Sequence, residues 1–380
     1  MPTKLENLIS KLQSTLDTAN ALPPEKKIQE SKSITPSTSA QTVQPDSGYD
    51  GLGKVAVAGD SNLVAGNIRK GTSIFGITGN YEGSGGGSGG DTSAEDAIIT
   101  KSITNYTNDR VDTVGRSAFT GCSSLTTVSF PLCKTINDYA FAYCSSLTTI
   151  SFPVCTTIND YAFQWCTSLT TASFPVCTSI GDSAFTYCSS LTTVSFPVCT
   201  TIDYYAFTGC SSLTTASFPA CTTIKNNAFA RCPSLTTISF PVCTSIGSSA
   251  FTSCPSLTTV SFPACTSIGS SAFAYCANLT TVSFPTCTSI SRSAFLSCAN
   301  LTTVSFPACT SIDYHAFHNC TKLIKIYLTG SSVCTLINST AFLNTGITSK
   351  SGSIYVPASL VATYKATTNW AYFSNRIFGV

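Results

Sequence analysis

Twenty cysteines stand in a chain of 380 residues. From Cys122 to Cys320 one falls every 11 residues, and Cys334 closes the series. A thiol can cross-link, ligate a metal or attack a substrate. No C-x-x-C pair occurs, so zinc-ribbon spacing is absent. Such regular spacing suits two columns of small buried side chains, a common role for free Cys. Column neighbours one rung apart lie near the short limit of the Cα separation a disulfide allows, and their side chains run parallel. The expectation is free buried thiols, with disulfide staples and a metal ladder as the alternatives. Asp313, His315, His318 and Cys320 resemble a Cys/His nucleophile site. Both histidines, however, occupy positions that vary between repeats, and Cys320 belongs to a buried column, where a thiol is inert. Asp138, Asp160 and Asp182 share one column that invites a cation. The same column continues as Tyr204, Asn226 and Ser248, which marks it as solvated turn. No phosphate loop, paired-carboxylate cleft or H-E-x-x-H motif appears. The reading is a protein that is not an enzyme and carries no cofactor and no metal.

The elements that position these residues come from a repeat. Ala-Phe recurs ten times at a step of 22 residues, from Ala118–Phe119 to Ala316–Phe317, with a degenerate copy at Ala341–Phe342. A fixed period in this range marks a solenoid. In the unit over residues 250–271, a short strand turns Leu257, Val260 and Phe262 inward and leaves Thr258, Thr259 and Ser261 outside as ladders. Pro263 ends the strand because it has no N–H to give a ladder. Cys265 and Ile268 make a second inward edge. Gly269 opens a turn, and Ala272–Phe273 begins a short helical or 3₁₀ turn whose ring fills the interior. One unit cannot bury its own apolar face, whereas ten stacked units can. At about 4.8 Å per parallel rung they make a rod on the order of 45–50 Å long.

This unit resembles the BspA-like class of leucine-rich repeats, found in bacterial surface proteins and prophage proteins. The residues carrying the resemblance are Leu257, Val260, Phe262, Pro263, Ile268, Gly269, Ala272, Phe273 and Cys276. The Cys265 column departs from the class, which more often has a small or aliphatic residue there. The resemblance implies a repeat solenoid of the leucine-rich-repeat class, with short parallel strands and 3₁₀ or short helical turns. It covers residues 117–320, with weaker copies to about Leu343, and the solenoid is placed at residues 91–348. Ser353-Ile354-Tyr355-Val356-Pro357, Tyr364-Lys365, Asn369-Trp370 and Phe373 resemble the terminal cap of such proteins, placed at residues 349–380. Trp370 is expected to be structural there.

The head of the chain reads differently. Leu5, Leu8, Ile9, Leu12 and Leu16 form one apolar helical stripe, and so short a helix is marginal alone. Residues 1–30 are therefore read as a docking or oligomerisation helix, without the apolar stretch of a secretory signal. Residues 31–48 are rich in Ser, Thr, Pro and Gln and read as linker. Residues 49–83 read as a small β module, with Val55 and Val57 on a strand and a Gly-punctuated strand pair around Ile74–Gly79. Tyr49-Asp50-Gly51-Leu52, Asn62-Leu63-Val64, Asn67-Ile68-Arg69-Lys70-Gly71 and Ile74-Phe75-Gly76-Ile77-Thr78-Gly79 resemble a module of phage and prophage tail proteins. Residues 84–90 are a flexible Gly/Ser tether.

Charged residues make up only 10% and the net charge is +2. Residues 117–320 carry Lys134, Lys225, Arg231 and Arg292 against five Asp. That excludes a basic face for nucleic acid. No apolar run reaches the roughly 18 residues a membrane span needs, so no membrane insertion is expected.

Internal copies also separate scaffold from variation. Leu-Thr-Thr, Ser-Phe-Pro, Ala-Phe and Cys hardly change. The three residues before Ala-Phe and the two after it vary, and both windows flank one turn. Aromatics gather there in the first half: Tyr139, Tyr143, Tyr161, Trp165, Tyr187, Tyr204 and Tyr205. Such rings give stiff contact area with a polar tip. The edge is read as a binding surface for a glycan or protein of a host cell. Free drift of exposed turns is the competing explanation. The regular Thr rows suggest ice ordering, but the head and cap have no place in that role. The combined reading is an attachment protein: a phage or prophage tail fibre, homo-oligomeric and joined to virion tail proteins through its N-terminal region. The alternatives are a bacterial cell-surface adhesin built from the same repeat and a structural decoration protein of the virion.

Overall fold

The computed structural model describes residues 104–349 and 352–380, together with seven short strands before them. The chain divides into two compact units, Met1–Ser88 and Gly89–Val380. In the first unit, Ile28–Gln29 pairs in parallel with Gly51–Leu52, and Lys32–Ile34 with Val55–Val57. Ser73–Ile74 and Ile77–Thr78 form an antiparallel hairpin. The alternation at Val55 and Val57 and the Gly-punctuated pair are thus strands. Two strands also correct the reading of the head. Ile28–Gln29 lies inside the stretch assigned to a docking helix, and Lys32–Ile34 inside the stretch assigned to linker. Ile28 and Ile34 are β-branched residues that fit a pleated surface, and each strand has a partner after the Pro-rich stretch. The Leu5–Leu16 stripe and the Gly/Ser tether lie outside the described residues.

In the second unit each coil contributes three faces. One carries a three-residue strand, Thr-x-Ser. Thr259–Ser261 pairs with Thr281–Ser283, its equivalent 22 residues on. The next carries a two-residue strand, and twelve of these form one parallel sheet from Asp91–Thr92 to Thr335–Leu336. The third face is the turn around Ala-Phe. Within the three-residue strands the middle residue faces inward, as at Val260, while both neighbours face solvent. Leu257, Phe262, Cys265, Ile268, Ala272 and Phe273 are all fully buried. The inward set read from one unit is the observed core.

Two ladders of phenylalanine run through it. Rings of the Ala-Phe column stack nearly parallel, as in Phe229 on Phe251 at 5.3 Å and 2°. Those of the Ser-Phe-Pro column do the same, as in Phe218 on Phe240 at 5.5 Å and 3°. The ladders meet edge to face, with Phe229 and Phe240 5.9 Å apart at 66°. Both arrangements suit the ring quadrupole.

The threonine rows bond to backbone. Thr148 Oγ1 donates to the Thr126 carbonyl at 3.1 Å, and Thr214 Oγ1 to the Thr192 carbonyl at 3.1 Å. These hydroxyls tie successive coils together.

The Ala-Phe segment is a short turn, as expected, closed by bonds onto the residue three before, with one refinement. Successive N–H groups alternate in direction. Those of Tyr139, Phe141 and Tyr143 donate along the rod to the carbonyls of Asp160, Ala162 and Gln164 at 3.0, 2.7 and 2.7 Å. Those of Ala140, Ala142 and Cys144 close turns onto the residue three before. A helix would point every N–H the same way. Alternation lets the turn become a third hydrogen-bonded face. A true 3₁₀ helix appears at the degenerate copy, Ser339–Phe342.

The cap extends the three-residue strands with Ser353–Val356 and then Ile377–Gly379. Between them lie the helix Val361–Ala366 and the 3₁₀ turn Ala371–Arg376. Trp370 is fully buried beside Phe342, and its Nε1 donates to the Cys334 carbonyl at 2.6 Å. The Tyr364 hydroxyl accepts the Cys334 N–H at 2.8 Å. Burial pushes the Tyr364 phenol up to about 12. Trp370 is structural, as expected. Among the described residues no helix is long and apolar enough to cross a membrane.

Candidate functional site

The alternating turn dictates the rim. Two positions in each coil take left-handed backbone: the residue before Ala-Phe and the second residue after it. Tyr139, Tyr161 and Tyr205 occupy the first column at φ of 57°, 59° and 55°. Tyr143, Trp165 and Tyr187 occupy the second at 62°, 60° and 59°. Other coils mostly place Ser, Asn or Gly there, as at Ser249, Asn227 and Gly209, with Arg231, Tyr275 and His315 as the further bulky occupants. For a bulky L-residue this conformation costs roughly 1 kcal/mol or more, and glycine escapes the cost. Gly209 has a second reason to lack a side chain, since a Cβ there would come within 2.5 Å of the Tyr187 ring.

Six of the seven aromatic residues read from the sequence therefore sit where aromatics are least expected. Tyr204, the seventh, lies beside Tyr205 in the same turn. Tyr143, Trp165, Tyr204 and Tyr205 are exposed, and Tyr139, Tyr161 and Tyr187 are half-buried. Tyr139 stacks on Tyr161 at 4.7 Å and 6°, and Trp165 on Tyr187 at 4.4 Å and 27°. Between the two columns runs a floor of Ala142, Gln164, Thr186 and Thr208, of which Ala142, Thr186 and Thr208 are buried. Thr186 Oγ1 donates to the Tyr205 carbonyl at 2.6 Å.

Charge on this rim is negative toward the N-terminal half. Desolvation raises the Asp160 carboxyl, offset by the Asp182 N–H that donates to it at 2.8 Å. The Tyr161 phenol is raised, chiefly by the neighbouring Asp182 charge. Arg116 opens the Asp138 column on the exposed rim, and the next cation is Lys225, whose Nζ donates to Asp203 Oδ2 at 2.9 Å and stands 4.9 Å from the Tyr204 ring centroid. The Asp203 carboxylate foremost raises its ammonium. The contribution is complete below the ordinary lysine value, about 10.4, and disappears as pH rises through the higher folded value. Lys225→Met is expected to cost only about 0.5–1 kcal/mol at neutral pH and low salt. Denaturation in 0.5 M NaCl, where the charge is screened, checks this by narrowing the difference.

The sequence reading missed Tyr275 and Tyr314. Both are exposed, and Tyr275 has φ of 64°. They occupy the same variable windows in later coils, so the column alignment held the signal. It also missed an exposed corner of Leu132, Val154, Val176, Val198 and Val242, each following the proline that ends a strand. Asp313, His315 and His318 gather loosely on the rim, with the two imidazoles 5.0 Å apart. Burial and the positive neighbour lower His318. Among the described residues no group of three or more His, Cys, Asp or Glu gathers to hold a metal. All twenty thiols are free and buried.

Among curated proteins, none matches the chain. Among solved structures, a leucine rich cell surface protein from Faecalibacterium prausnitzii is 29% identical. It covers 72% of this chain and 82% of its own, at a TM-score of 0.42. A leucine-rich repeat protein from Bacteroides ovatus is 21% identical over 73% and 92%, at 0.37. The pneumococcal vaccine antigen PcpA is 15% identical over 73% and 89%, at 0.38. The family description "BspA type Leucine rich repeat region (6 copies)" matches residues 97–213, 156–265 and 244–362, and so spans more than half of the sequence. With its 22-residue parallel coils and paired inward columns, the chain belongs to the BspA-type leucine-rich-repeat family.

Proposed function

We propose that this chain is a bacterial cell-surface recognition protein, a non-enzymatic scaffold whose aromatic rim binds a glycan or protein on another cell. The observation that carries the reading is the placing of Tyr139, Tyr143, Tyr161, Trp165, Tyr187 and Tyr205 at left-handed backbone positions. Each costs stability that glycine or asparagine would spare. Drift alone would favour the cheaper residues, so their retention in neighbouring coils supports a contact role. The negative rim favours neutral or positively charged ligands over polyanions. The repeat family supports the surface-borne version of the attachment role. The tail-module motifs that suggested a virion-borne version lie largely outside the described residues.

The test replaces Tyr161 and Trp165 by Ser and measures adsorption of the labelled full chain to target cells. Adsorption is expected to fall at least tenfold, corresponding to about 1.4 kcal/mol. The thermal midpoint should stay level or rise. Unchanged adsorption by a folded double variant would refute the assignment.

A further inference from the structure

The thiol columns are regular until the last coil. Along the second column each thiol donates to the carbonyl two residues ahead, as Cys287 does to Ser289 at 3.2 Å and Cys309 to Ser311 at 3.3 Å. Three extra residues then separate the coils, because the step from Cys309 to Cys334 is 25 rather than 22. Cys334 lacks the usual carbonyl partner at that range, and its nearest is Thr335 at 3.8 Å. Its S–H turns instead to the Cys309 sulfur, with the two Sγ atoms 3.5 Å apart.

Two further facts set this pair apart. Cys309 is 4% exposed, while the other nineteen thiols are at 0%. The Cys334 backbone is held on both sides by the cap, through Tyr364 and Trp370. We propose that Cys309 and Cys334 are a disulfide-forming site for a small peroxide oxidant, which staples the last regular coil to the cap.

The thiol hydrogen bond from Cys334 holds Cys309 below its ordinary value, whereas burial raises its column neighbours Cys265 and Cys287. Cys309 is therefore the more acidic thiol of the pair, and it attacks once its proton has passed to solvent. Its sulfur attacks one peroxide oxygen and the O–O bond breaks. Hydroxide leaves and takes a proton to become water, and Cys309 becomes a sulfenic acid. The Cys334 sulfur then attacks that sulfur. The S–O bond breaks, the S–S bond forms and the thiol proton leaves with the hydroxide as a second water. Two thiols lose two electrons and one hydrogen peroxide is reduced. A reactive thiol beside a resolving one is the arrangement such oxidation requires.

The experiment treats the reduced full chain with a small excess of hydrogen peroxide, then counts thiols in denaturant and maps peptides without reductant. Two of the twenty thiols should be lost, in one cross-link joining the tryptic peptides 293–322 and 326–350. Fragmentation separates Cys309 from Cys298 and Cys320, which share its peptide. The thermal midpoint of the cap should rise by about 5 °C and return on reduction. Cys334→Ser should abolish cross-link and shift together, leaving Cys309 over-oxidised. A cross-link at another pair, or sulfinic acid at Cys309 in the unaltered chain, would overturn the proposal. So would full recovery of twenty thiols.

Discussion

Moving the reduced protein from about pH 8 to about pH 10 is expected to unfold the rod, through thiols whose ordinary pKa lies near 8.5–9. Sixteen of the twenty are pushed up in the folded state. Desolvation is the leading cause for most of them. Cys133, Cys199 and Cys243 rise to about 11, and Cys177, Cys265 and Cys287 to about 12. The folded chain keeps these groups neutral while the unfolded chain ionises them. Stability is therefore complete below the unfolded value and falls as pH climbs toward the folded ones. One pH unit above the unfolded value removes about 1.4 kcal/mol per thiol. Sixteen such terms reach roughly 20 kcal/mol, more than the 5–15 kcal/mol typical of a domain. Circular dichroism against pH in the presence of reductant reads the transition. Retention of full ellipticity at pH 10.5 would show that the columns are not dry.

The second large effect belongs to the aromatic interior. Phe229→Ala is expected to destabilise the array by about 3–5 kcal/mol. Phe229 stacks on Phe207 at 5.2 Å and Phe251 at 5.3 Å, and meets Phe218 and Phe240 edge-on at 5.9 Å each. Removal opens a void shared by three coils. Stacked repeats contact only their neighbours, so the array should also split into two halves of unequal stability. Chemical denaturation followed by fluorescence of Trp165 and of Trp370 should give separate midpoints. A single transition shifted by less than about 1 kcal/mol would mean that the core collapses around the gap.

Much of this fold was legible because each inward position is repeated ten times. Leu257, Val260, Phe262, Cys265, Ile268 and Phe273 alternate with Thr and Ser on a scale that only a strand-and-turn coil satisfies. The cap was legible from its bulk, since Tyr364, Trp370 and Phe373 have no place in the period. The backbone of the turn was not legible. Nothing in the letters Tyr-Ala-Phe-Ala-Tyr (139–143) announces left-handed backbone at both ends, because tyrosine disfavours it. The clue was indirect: Gly121, Gly209, Asn227 and Asn319 hold the same columns in other coils, and these residues tolerate positive φ. Ile28–Gln29 and Lys32–Ile34 escaped notice for another reason. A two- or three-residue strand shows no period, and its partner lies about twenty residues away. The rim aromatics were found from variation alone, but their stacking in pairs needed coordinates.

The cap seats on the final rung, around Tyr327, Cys334 and Phe342, and along the two-residue strands every earlier rung offers its successor the same register. Whole 22-residue modules can therefore be inserted or deleted without rewriting either terminus. Each added or removed module would lengthen or shorten the array by about 4.8 Å, in fixed increments that leave the inward columns unchanged.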